Sequence, residues 1–95
     1  MQLLNNCETL LRSVGEVFWA KKIESTLKKY DQYSDGYMFE EVISWYGGMG
    51  SFNDLIISVH NGHNLDGRDE YGLNDELHKI RSKIYQEAVR LNRSL

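Results

Sequence analysis

The sequence predicts a mainly α fold, a small domain of about four helices with one short β-hairpin, for which α+β is the alternative label. Three observations predict it. Apolar residues recur at helical spacing near both ends of the chain, over 3–14 and 77–91. Glycines and polar runs interrupt the middle into short pieces. One β-branched run, 55–59, is followed by Asn61-Gly62, the strongest short hairpin signal because a type I′ turn needs positive φ at both central residues. A length of 95 residues makes one domain, 1–95. Such a chain buries roughly 60–65% of its unfolded surface, enough for one modest core.

Leu3, Leu4, Cys7, Leu10, Leu11 and Val14 predict an opening helix. Ser13 followed by Glu16 reads as a capping box at the start of a second helix, with Gly15 in its first turn. Phe18, Trp19, Ile23, Thr26, Leu27 and Tyr30 line one face of that helix, and Lys28 and Lys29 near its end suit the dipole. Residues 31–36 are polar and turn-like. A third helix follows, with Met38, Val42 and Trp45 on its inner side and Tyr37, Glu40, Glu41 and Ser44 on a wet, negative side. Gly47 and Gly48 end it. The hairpin spans 54–65. A last helix begins near Leu73 or Asn74, with Leu77, Ile80, Ile84, Ala88 and Leu91 as its apolar seam and Lys79, Lys83, Arg90 and Arg93 outside.

Charge is distributed unevenly. Residues 31–76 carry ten of the fourteen carboxylates and one of the eleven Lys/Arg, Arg68, for a segment charge of −9. The flanks sum to +2 and +4, giving the net of −3. The same segment holds Tyr33, Tyr37, Phe39, Trp45, Tyr46, Phe52 and Tyr71. Clustered like charge repels itself, but it steers an oppositely charged partner. The acidic balance argues against nucleic acid as a direct partner. Cys7 stands alone, so no internal disulfide forms, which fits a reducing compartment. No signal peptide or membrane span is visible, and a cytoplasmic location is expected.

Candidate chemistry is sparse. Residues 31–36 echo a calcium loop, but its third position is Tyr33 and its twelfth Val42, which supply no carboxylate; a helix-capping turn is the better reading. His60, His63, Asp66 and Asp69 recur every three residues and could ligate zinc or manganese, as in a small metal-dependent hydrolase. A His-x-x-His on a hairpin does not bring both rings to one side, so a polar hairpin is preferred. The Gly47-Gly-Met-Gly-Ser51 run could cradle phosphate, yet it lacks the lysine and frame of a P-loop. A tight helix-to-strand connection accounts for it better. Ser51, Cys7 and the histidines have no partner that would make a nucleophile or base. The expectation is therefore no enzyme, no cofactor and no metal.

Residues 45–57, Trp-Tyr-Gly-Gly-Met-Gly-Ser-Phe-Asn-Asp-Leu-Ile-Ile, form the most distinctive stretch. They resemble the signature of a family of small, uncharacterised bacterial domains, and Leu77, Ile80 and Ile84-Tyr85 resemble that family's final helix. The resemblance implies a shared fold and no particular activity. In size and acidic character the chain is also similar in type to immunity proteins of contact-dependent growth inhibition and other polymorphic toxin systems. That similarity implies an inhibitor of a cognate toxin domain, plausibly a nuclease, acting by steric occlusion and acidic mimicry. The expected contact residues are Tyr33, Asp35, Tyr37, Glu40, Glu41, Asp66, Asp69, Glu70 and Tyr71, with aromatic anchors among carboxylates. The alternatives are the hydrolase above and a self-associating structural or regulatory subunit. The expected state is a monomer or weak homodimer.

Overall fold

The computed structural model describes residues 1–30 and 35–93. They form four α-helices: α1 (Gln2–Ser13), α2 (Val17–Lys29), α3 (Asp35–Ser44) and α4 (Glu70–Arg93). Two 3₁₀ turns, Phe52–Asp54 and Val59–Asn61, lie between α3 and α4. α1 packs on α2 and α4, and α3 packs on α4 and α2. The 24 residues of α4 extend about 36 Å at the α-helical rise, close to the 42 Å long axis of the molecule.

The α1–α2 corner differs from the predicted capping box. Ser13 closes α1 instead of opening α2, and its hydroxyl donates to Leu10 O. Gly15 takes φ +76, the left-handed conformation that ends a helix. Its N–H donates to Arg12 O and the Glu16 N–H to Leu11 O, which is the paired bonding of a Schellman motif. Glu16 is the residue that caps α2, because its carboxylate accepts the Trp19 N–H at 3.0 Å. Glycine's tolerance of positive φ decides where one helix stops and the next begins.

The core joins Leu4, Leu11 and Val14 of the α1 segment, Ile23 of α2, Val42 of α3 and Leu77, Ile84 and Ala88 of α4. Three aromatics sit at its centre. Phe52 is fully buried, with its ring centroid 4.8 Å from Trp19 and 5.9 Å from Trp45. Such pairs add roughly 0.5–1.5 kcal/mol each beyond area burial. Phe18, expected on the inner face of α2, is instead 68% exposed.

Among the described residues there is no strand, so the hairpin at 54–65 is not formed. Residues 55–58 are irregular, with Leu55 and Ser58 in extended conformation, but no second strand bonds to them. The Asn74 side chain does so instead. Its Oδ1 accepts the Ile57 N–H and its Nδ2 donates to Ile57 O, both at 2.8 Å. Asn61 lies in a 3₁₀ turn, and Gly62 alone of the pair takes positive φ, +82. A type I′ turn would need both residues left-handed. The last helix also starts earlier than Leu73: Asp69 accepts the Gly72 N–H through Oδ2 at 2.9 Å, which supports a start at Glu70.

Candidate protein-binding surface

The loop before α4 is fixed by side chains from the α1–α2 corner. The Ser58 N–H donates to His63 Nδ1 at 3.0 Å. That assigns the neutral ring's proton to Nε2, which donates to Glu16 Oε1 at 2.9 Å. Glu16 Oε2 takes the Trp19 N–H, so one carboxylate links the loop to the start of α2. The Asn64 N–H donates to Val14 O. Arg68 donates to the hydroxyl and carbonyl of Ser13 and to Leu65 O. The one basic residue of the acidic segment is thus engaged in fixing the loop.

This scaffold presents Asp66, Asp69 and Glu70 at the surface, next to Tyr71 in the first turn of α4. Asp66 is held at φ +53, and its N–H donates to Asn64 Oδ1. Carboxylates at a helix N-terminus are favoured by the helix dipole. Tyr71 is 81% exposed and Ile56 56% exposed. Both line one groove of about 540 Å³, together with Leu55, Glu70, Asn74 and Arg81. Arg81 Nη1 donates to Phe52 O and Leu55 O, and burial pushes its pKa down from the ordinary arginine value.

The α3 residues are placed elsewhere. Tyr37 and Glu40 are exposed, as expected. Glu41 turns back into the protein: its carboxylate accepts from the Thr26 hydroxyl, from Lys29 Nζ at 3.1 Å and from the Tyr30 hydroxyl at 3.3 Å. Burial works to raise the Glu41 pKa, but these donors and the Lys29 charge outweigh it and hold the carboxyl below its ordinary value. Tyr33 lies outside the described residues, and Asp35 is described only as the first residue of α3.

The expected contact residues that are described therefore fall into two groups. Glu41 marks the α3 group at Thr26, Lys29 and Tyr30, near the end of α2. Arg68 and His63 mark the second group at Ser13 and Glu16, at its beginning. Ten to thirteen helical residues separate them, about 15–20 Å. Sequence could not show this separation, because both groups share one charge-rich segment. It also missed Ile56 and Arg81 as groove residues. Ile56 falls within the β-branched run 55–59 that predicts a strand, and Arg81 carries no pattern to distinguish it from other helix cations.

The remaining candidates are assigned by their contacts. Both ring nitrogens of His63 are engaged, whereas His60 is exposed in the second 3₁₀ turn. Among the described residues no group of three or more His, Cys, Asp or Glu side chains is placed to hold a metal ion. Gly47, Gly48 and Gly50 take positive φ, and the glycine turn leads into a 3₁₀ turn at Phe52, not into the expected strand. Cys7 is fully buried, and burial pushes its thiol pKa up to about 12, which leaves it unreactive at neutral pH. No helix among the described residues is long and apolar enough to cross a membrane.

In a comparison with known families, residues 12–66 match a domain of unknown function (DUF6966). The matched region includes the glycine-rich stretch 45–57 and ends before α4. No curated protein and no solved structure matches the chain.

Proposed function

The chain belongs to that family of unknown function, and from its own surface we propose that it binds a basic protein domain, as an immunity-type inhibitor that covers a toxin domain. One observation carries the reading: Tyr71 and Ile56, two strongly exposed apolar side chains, share a groove with Glu70 beside Asp66 and Asp69. A tyrosine contributes anchor area at low entropic cost, and the carboxylates beside it select a cationic partner. Tyr71 and Ile56 supply the buried contact. Asp66, Asp69 and Glu70 stand in for phosphates and pair with the partner's Lys/Arg.

Tyr37 and Glu40 form a second contact. A standard interface of about 800 Å² per partner is wide enough to reach groups 15–20 Å apart. Glu41 is assigned to holding α3 on α2. Close charge pairs across such interfaces couple by roughly 1.5–7 kcal/mol.

The test is titration calorimetry against the purified basic C-terminal domain of an effector encoded beside this chain. Saturable binding that weakens with salt and inhibits the domain supports the reading. A neighbouring effector domain that neither binds nor is inhibited overturns it.

A further inference from the structure

A second cavity, of about 310 Å³, lies between α2 and the glycine turn 47–51. Trp45 and Ser51 line it, and both carry a buried polar atom without a hydrogen-bond partner: Trp45 Nε1 and Ser51 Oγ. Trp45 is 97% buried, and its indole N–H can only donate. Buried polar groups are almost always hydrogen-bonded, so an indole N–H and a hydroxyl left unpaired around one cavity call for an acceptor. Lys22 also lines the cavity, with its ammonium 5.3 Å from the Trp19 ring centroid. Among the described residues no carboxylate lies within ion-pair distance of Lys22, and none lines the cavity. Phe18 and Met49, both strongly exposed, form its apolar rim.

We propose that this cavity binds a small apolar carboxylate. The ligand's carboxylate accepts from Trp45 Nε1–H and Ser51 Oγ–H beside the Lys22 ammonium, and its apolar part lies against Phe18 and Met49. Both donor atoms are covered by protein, so binding requires the Met49 turn to lift. That turn is tied down by the Gly50 N–H to Asp54 Oδ2 at 2.7 Å and the Ser51 N–H to Gly48 O at 3.4 Å. Its three glycines, already at positive φ, tolerate the backbone change. The site shares no lining residue with the Tyr71 groove.

The test is ¹H–¹⁵N spectroscopy of the full chain titrated with hexanoate and benzoate, with hexanol as the neutral control. The chain has two tryptophans, so each indole N–H is resolved. Saturable movement of the Trp45 indole resonance is expected with the carboxylates and not with hexanol. Lys22→Ala and Ser51→Ala should each weaken binding about tenfold, the worth of one charge-assisted hydrogen bond. Lys22 is exposed, so its variant keeps the fold. An unmoved Trp45 resonance, equal movement with hexanol, or unchanged affinity in Lys22→Ala would overturn the proposal.

Discussion

His63 and Glu16 meet at 2.9 Å between imidazole and carboxylate, 47 positions apart in the chain. Through that contact the loop carrying the acidic surface is fastened to the first turn of α2. His63→Ala leaves the Ser58 N–H and the Glu16 carboxylate without their partner. The expected loss is about 1–3 kcal/mol, seen as a lower urea midpoint with an unchanged slope. For a domain of this size each 1 kcal/mol lowers Tm by about 4–8 °C.

Asn74 supplies the hydrogen bonds that a second strand would have given Ile57. Asn74→Ala should destabilise by a similar amount, about 1–3 kcal/mol. Asn74→Asp keeps the acceptor for the Ile57 N–H but loses the donor to Ile57 O. It should therefore slow exchange of the Ile57 amide relative to Asn74→Ala. Equal exchange in the two variants would show that the side chain does not hold this segment.

Glu41 ties stability to pH. Its carboxyl titrates below the ordinary carboxylate value in the folded protein, so the contribution is fully present above the unfolded pKa and is lost as pH falls through the folded one. Glu41→Gln should lower the urea midpoint at pH 7 and narrow the difference between pH 7 and pH 3. A variant as acid-sensitive as the wild type would contradict the assignment.

At the α1–α2 corner, Gly15 has open space around its missing Cβ, so a substitution there meets strain and no clash. Gly15→Ala should cost about 1 kcal/mol, and Gly15→Asn less, because asparagine tolerates the left-handed region. Thermal denaturation of the two variants orders them.

How much of this was legible in the residues depends on the range of the interaction. The helices were readable where one apolar stripe repeats, as over Leu77, Ile84 and Ala88, because burial of one face gives a local period. The run 55–59 forms no strand although it predicts one, because β-branched residues favour extension whether or not a partner strand exists, and Asn74, a helix residue, takes the partner's place. Ser13 and Glu16 have the spacing of a capping box, but Gly15 between them breaks it. At the surface, Glu70 and Tyr71 could be named from charge and aromaticity. The inward turn of Glu41 and the groove formed by Ile56 and Arg81 arise from contacts between distant segments, which spacing along the chain does not encode.

The central claim is that the first turn of α4 and the segment before the second 3₁₀ turn grip a basic protein domain. Hydrogen exchange of the complex with the neighbouring effector domain tests it most directly, with wild type and the pair Glu70→Lys and Tyr71→Ala compared. The account predicts new protection over 55–59 and 66–74, and at least about tenfold weaker binding in each variant. Protection confined to α1 and the C-terminal half of α4, with both variants binding as the wild type does, would contradict it.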